Sequence, residues 1–117
     1  MSGFILHATS RAAWTEAESK GEYTAVSLAG QGFIHCSKAD QILRVANLLF
    51  AGQHGLVLLV IDPAKLTSAL LWEPGQDLAA ELFPHVYGPI NLEAVMDVLD
   101  FETGPDGLFS LPAKLAG

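Results

Sequence analysis

Short apolar runs, separated by glycine, proline and polar clusters, set the rhythm of this chain. Phe4-Ile5-Leu6-His7 contains no helix breaker, and Ala8-Thr9-Ser10 after it is a good helix-start cluster, so the pattern predicts a strand followed by a helix. From Arg11 to Lys20, Ala13, Trp14 and Ala17 share one helical face, Glu16, Glu18 and Lys20 face away, and Gly21 supplies the stop. Glu22 to Gly32 has little periodicity and reads as a loop through Ser27-Leu28 and Gly30-Gln31-Gly32 into a second strand, Phe33-Ile34-His35-Cys36. Ser37, three residues before Asp40, is placed as the N-cap of a second helix, along which Ile42, Val45, Ala46, Leu49 and Phe50 repeat at helical spacing as far as Gly52.

Leu56 to Ile61 is unbroken, partly β-branched and ends at Asp62-Pro63, which predicts a central strand buried on both faces. Ala69 to Trp72 reads as a further strand closed by Glu73-Pro74-Gly75. In Leu82-Phe83-Pro84-His85-Val86-Tyr87-Gly88-Pro89 the two prolines and the glycine argue against regular structure while the large apolar residues demand burial, so a packed, rigid loop is expected. Val95 to Phe101 reads as a half-buried strand, with a helix through Asn91 to Val98 as the alternative, and Thr103 to Gly117 as a turn and a loosely docked tail. Two helices in the N-terminal half, followed by strands with no helices between them, predict α+β architecture with largely antiparallel or mixed sheets. The expectation is a single domain over residues 1–117 with its core in residues 4–101.

Composition narrows the function classes. At 117 residues the chain is one domain's worth, and 50% hydrophobic against 16% charged residues supplies a real core. Six basic residues against 13 acidic ones give a net charge of −7, and Arg11, Lys20, Lys38, Arg44, Lys65 and Lys114 are scattered singly, so nucleic acid and anionic membranes are not expected partners. Cys36 is the only cysteine, which excludes an intrachain disulfide and makes the cytoplasm the default compartment. Neither a spanning segment nor an export signal is expected, because the run from Leu56 to Ile61 is far short of a membrane span and Met1 to Trp14 lacks a basic start. The high apolar fraction leaves room for a homo-oligomer interface.

Candidate chemistry rests on the histidines. His7 ends the first strand, His35 sits in the second and His85 in the rigid loop, each among apolar neighbours that favour a neutral imidazole. Any one of them alone is readily explained as a core histidine bonded to a backbone carbonyl. Strand alternation puts Phe33, His35 and Ser37 on one face and Ile34 and Cys36 on the other, so His35 and Ser37 can line one cleft, and the same geometry argues against a Cys36-His35 dyad. No Gly-x-Ser-x-Gly elbow accompanies Ser37, and Gly30-Gln31-Gly32 lacks the rest of a dinucleotide fingerprint. His7, His35 and His85 could alternatively hold a metal such as zinc, although no local His pair preorganises the ligands. Trp14, Trp72 and Tyr23 read as core or rim residues, and Tyr87, next to His85 and Gly88, is a candidate ligand contact.

Phe4-Ile5-Leu6-His7, Trp14, Gly21-Glu22-Tyr23, Gly32-Phe33-Ile34-His35-Cys36-Ser37, Gln41 and Leu82-Phe83-Pro84-His85-Val86-Tyr87-Gly88-Pro89 together resemble the domain of unknown function 952 family of bacteria and plants. The likeness runs from Phe4 to about Phe101. That family is similar in fold to ADP-ribosyltransferases, which implies two small antiparallel-rich sheets enclosing a cleft that, in active relatives, holds NAD. His7-Ala8-Thr9 and His35-Cys36-Ser37 have the form of two signature strands in the RNA 2'-phosphotransferases of that superfamily. The resemblance implies that His7 holds the nicotinamide-side ribose, that His35 contacts the same ribose or the ring, and that Ser37 caps the second helix and donates at the cleft. NAD, ADP-ribose or a related nucleotide is then the expected ligand, NAD a substrate rather than a resident cofactor, with Thr9, Ser37, His85, Tyr87 and Glu73 as binding residues. Many such transferases steady an oxocarbenium-like ribose with a glutamate, for which Glu73 and Glu81 are the carboxylates in the right part of this chain. With two arginines and a net charge of −7, an RNA 2'-phosphate is not the expected substrate.

Overall fold

A computed structural model describes residues 3–75 and 81–116. Its strands are β1 (Ile5–Ser10), β2 (Glu22–Tyr23), β3 (Ile34–His35), β4 (Leu56–Ile61), β5 (Ala69–Pro74), β6 (Leu82–Tyr87), β7 (Ile90–Asn91) and β8 (Val95–Phe101). The helices are α1 (Arg11–Lys20), α2 (Val26–Gln31), α3 (Ile42–Leu49) and α4 (Ala113–Ala116), with short 3-10 turns at Pro63–Lys65 and Leu92–Ala94. One antiparallel sheet has the order β1-β4-β8, a second β3-β6-β5, and β2 pairs with β7. The architecture is α+β, as the pattern of elements predicts. No helix among the described residues is long and apolar enough to cross a membrane.

β4 organises the interior. Every one of its residues is buried, and alternation sends Val57, Leu59 and Ile61 into one core and Leu56, Leu58 and Val60 into another. Each of these side chains contributes about 1.5–3 kcal/mol by leaving water. The first core is filled by Ile5, Trp14, Ala17 and Tyr23 and by Ile34, Cys36 and Val86 from the back of the second sheet. The second is closed by Ile42 and Ala46 of α3 and by Phe101 and Phe109.

α1 begins and ends as its sequence dictates. Ser10 Oγ accepts the Ala13 N–H at 3.0 Å, and Gly21 adopts φ 91° so that its N–H reaches the Ala17 carbonyl.

Four expectations are corrected. The stretch between Glu22 and Gly32 is not a loop, since it forms β2 and then α2, which makes three helices rather than two in the N-terminal half. α2 buries none of its residues and has no side-chain N-cap, so it lacked the periodic stripe by which a helix is read. Leu82 to Tyr87 is not an irregular loop but β6, the central strand of its sheet. Pro84 is tolerated because its polar edge faces β3 where that pairing ends: its carbonyl accepts the Cys36 N–H at 3.1 Å, and only the reciprocal donor is missing.

Ser37 does not cap α3, which starts at Ile42 without a side-chain cap, while Gln41 Oε1 accepts the Lys38 N–H at 3.0 Å. Ser37 instead exchanges backbone hydrogen bonds with Leu6. The C-terminal segment is not loosely docked. Phe109 is buried, stacks on Phe101 with ring centroids 4.5 Å apart, and donates its N–H to Asn47 Oδ1 of α3 at 2.8 Å. Val95 to Phe101 is the expected half-buried strand, with only a single 3-10 turn where the helical alternative would lie.

Phe109→Ala is expected to lower unfolding free energy by about 3–5 kcal/mol, because it opens a cavity against Phe101 and Ala46. Leu108→Ala, at an exposed neighbouring position, is expected to stay within about 0.5 kcal/mol of the parent. Urea titrations of the two variants check this contrast.

Candidate functional site

Among the described residues, the two three-stranded sheets pair backbone to backbone through one pair of residues. Leu6 of β1 donates its N–H to the Ser37 carbonyl at 2.7 Å and accepts the Ser37 N–H at 2.8 Å. Past that pair the ladder stops, and the strand edges splay apart. The His35 carbonyl, which points toward β1, is met by a side chain instead: His7 Nδ1 donates to it at 2.6 Å. Ala8 turns its backbone N–H and C=O the same way as Leu6, beyond the end of the pairing. Ala8 also lines a cavity of about 340 Å³.

That cavity gathers much of the expected site. His7, His35, His85 and Ser37 all line it, with Phe83 on the sheet side and Ile42, Val45 and Leu49 on the α3 side. Thr9, Glu73 and Tyr87 do not line it. Thr9 sits one step behind His7, because the Tyr23 hydroxyl lies 2.7 Å from His7 Nε2 and 2.9 Å from Thr9 Oγ1.

The protons on this chain can be placed. A carbonyl only accepts, so His7 Nδ1 carries hydrogen; burial pushes the His7 pKa down to about 4, so the ring is neutral and Nε2 is an acceptor. Tyr23 therefore donates to His7, and the Thr9 hydroxyl completes the chain by donating to Tyr23. His7 is thus both a cavity wall and a core histidine held by a backbone carbonyl.

His35 corrects an expectation. It is exposed rather than sunk among apolar neighbours, because β3 is short and its outward face has no layer above it. Its Nε2 bonds to Gln31 Oε1 at the end of α2 at 2.6 Å, and partial burial together with the nearby His85 lowers its pKa. His35 and His85 are direct cross-strand partners in the pair type that brings side chains closest, with ring centroids 5.3 Å apart. Phe33 stacks on His85 at 4.2 Å and meets His35 edge-on at 4.7 Å.

His85 is buried, and its Nδ1 donates to Glu73 Oε1 at 2.8 Å. The Tyr87 hydroxyl donates to the same oxygen at 2.6 Å, and these two bonds hold the Glu73 carboxyl below its ordinary range. Glu81 is not a free rim carboxylate. Arg44 grips it with two bonds of 2.8 and 2.6 Å, Gln41 adds a third at 3.0 Å, and its pKa falls to about 2.

Cys36 faces the apolar core, where burial pushes its thiol up to about 12, so it is no nucleophile. The three imidazoles share the cavity but do not converge as ligands, and among the described residues no three His, Cys, Asp or Glu side chains are placed to hold a metal ion. The metal reading fails because His7 already spends both ring nitrogens on protein partners.

The sequence singles out the histidines and Ser37, which line the cavity, but not Tyr23 as the partner of His7 nor the backbone edge at Ala8. Tyr23 lies in a two-residue strand whose role is set by a distant partner, and a backbone edge leaves no mark on side-chain patterning.

Because His7 charges only below about 4 in the folded chain against an ordinary 6.5, the unfolded chain takes up this proton first. The stability tied to neutral His7 is complete above pH 6.5 and is expected to fall by about 3 kcal/mol as pH drops toward 4. In His7→Phe that part of the slope should vanish, as pH-dependent urea titrations of both proteins would record.

No curated protein matches the chain. Among solved structures it is similar to the crystal structure of protein CC0527 from Caulobacter crescentus, with 36% identity, a TM-score of 0.83, and coverage of 97% of this chain and 98% of that one. It is also similar to the solution NMR structure of CC0527, with 36% identity and a TM-score of 0.77 over 91% of this chain and 90% of that one. A family model described as protein of unknown function (DUF952) matches residues 8–98, and the chain belongs to that family.

Proposed function

We propose that this domain binds the nicotinamide-ribose end of NAD, or a closely related nucleotide, in the cavity between the two sheets and acts on its glycosidic bond. The observation that carries this reading is the edge of β1 at Ala8, which has no backbone partner on that side among the described residues, in a wall that also bears His7, His35, His85 and Ser37. A carboxamide has one donor and one acceptor side, which is the complement of the Ala8 C=O and N–H. Ser37 and the open imidazole nitrogens offer partners for ribose hydroxyls. The resemblance to ADP-ribosyltransferases, with small sheets flanking a nucleotide cleft, points the same way but rests on fold analogy.

Size and charge refine the ligand. A cavity of about 340 Å³ lies at the low end for small-molecule sites, which suits a nucleoside and not a whole dinucleotide. No lysine or arginine lines it, so the phosphates of NAD would lie outside over the exposed sheet face. A cationic nicotinamide ring suits both the neutral wall and the net charge of −7.

Differential scanning with NAD, nicotinamide riboside, ADP-ribose and adenosine tests this. NAD and nicotinamide riboside are expected to raise Tm by several degrees at concentrations about 100-fold above Kd, corresponding to about 2.7 kcal/mol, with ADP-ribose and adenosine weaker. The shift should shrink at least tenfold in apparent affinity in His35→Ala, whose exposed side chain makes unfolding an improbable cause. Silence toward both nicotinamide compounds would end this reading.

A further inference from the structure

We propose that His85 is a general base in this cavity and that Glu73 is the residue that positions it, the nucleophile being a water molecule; the identity of the bond attacked rests on the nicotinamide riboside reading above. The geometry is that of a carboxylate orienting an imidazole. Glu73 on β5 lies diagonally across from His85 on β6, whose direct partner is Leu71, so both side chains project from the same sheet face. A carboxylate only accepts, so the 2.8 Å bond requires hydrogen on His85 Nδ1, and in the neutral tautomer that makes Nε2 the lone-pair nitrogen. Nε2 has no protein partner among the described residues, and no buried side-chain nitrogen or oxygen there is left unpaired, so Nε2 opens to the cavity that His85 lines.

The surroundings hold this arrangement rigid. Phe33 stacks on the His85 ring with an interplanar angle of 18°, which restricts its rotation. The Tyr87 hydroxyl fixes Glu73 Oε1 from the other side. Glu73 does not itself line the cavity, so it acts through His85 and not on the ligand. Among the described carboxylates in this part of the chain, Glu81 is committed to Arg44 and Gln41, whereas Glu73 contacts His85 directly.

The step balances without a co-reactant beyond water. His85 Nε2 takes a proton from the water as the water oxygen bonds to the anomeric carbon; the C–N bond to the nicotinamide breaks, its electron pair leaving on the ring nitrogen. Neutral nicotinamide and a ribose hydroxyl result, and the proton on His85 returns to solvent. The reaction class is hydrolysis of a cationic N-glycoside, whose leaving group needs no acid.

Two measurements decide it. In the ligand-free protein, imidazole 1H–15N correlation spectra are expected to show His85 with Nδ1 protonated and Nε2 bare; Glu73→Leu should release it toward the Nε2–H form favoured by a free ring. A wild-type His85 with hydrogen on Nε2 and none on Nδ1 would overturn the dyad whatever the ligand. With NAD, His85→Ala is expected to reduce kcat about 100-fold or more with binding retained, and added imidazole to restore part of the lost rate. Should burial of His85 make that variant fold poorly, Glu73→Gln, at a partly exposed position, is expected to lower kcat at least tenfold with little change in KM. Unchanged kcat in a folded variant of either residue overturns the proposal. Absence of NAD cleavage by the wild type, with the expected NMR tautomer in place, would overturn the nicotinamide riboside reading and the hydrolytic step while upholding the dyad.

Discussion

The reciprocal backbone pair between Leu6 and Ser37 is the constraint on which the site depends. β1 is committed to β4 along its whole length and β3 to β6, so the two sheet edges can share only a short stretch before their directions part. A carbonyl stranded at such a splay must find a donor. The His35 carbonyl finds His7, and the imidazole thereby does the work of a missing rung in the ladder. One rung further on, no described residue replaces the bond that Ala8 would have made, and Ala8 lines the cavity.

This explains why His7 is conservative in its chemistry. A ring that supplies a structural hydrogen bond at one nitrogen and accepts from Tyr23 at the other has little freedom to shuttle protons. His85 differs in one respect that matters: its second nitrogen has no partner among the described residues. Both rings are buried histidines in strands, and only the hydrogen-bond inventory separates the one that holds the wall from the one that can act on what lies against it.

How much of this was legible in the sequence depended on whether a feature was local. β4 declared itself because both of its faces are covered, so its run is continuous, and Ser10 and Gly21 mark α1 because capping is a matter of a few neighbouring atoms. β6 was hidden by Pro84, whose missing donor is harmless only because β3 turns away at that residue, a fact about a partner some fifty positions earlier. α2 buries nothing, so hydrophobic periodicity had nothing to report. Phe109 looked like part of a tail because the aromatic it stacks on and the asparagine that anchors it lie on β8 and α3. Within the site, alternation put Phe33, His35 and Ser37 on one face, and of these His35 and Ser37 line the cavity, as does Cys36 from the other face; the carboxylate behind His85 emerged only once β5 and β6 were in register.

The electrostatics of the cavity follow from that inventory. Burial keeps His7 neutral, partial burial and the nearby His85 lower the His35 pKa, and among the described residues no lysine or arginine lines the wall. Glu73, held ionised behind the wall, contacts the lining side chain of His85, and Arg44 and Gln41 hold Glu81. A field of that sign disfavours phosphate in the cavity and favours a ligand part that arrives cationic and leaves neutral. It also steadies positive charge on His85 as a proton is taken up, since the compensating carboxylate is already in contact with the opposite nitrogen. An acidic chain that would repel a nucleic acid is therefore no obstacle to a nucleoside presented by its cationic end.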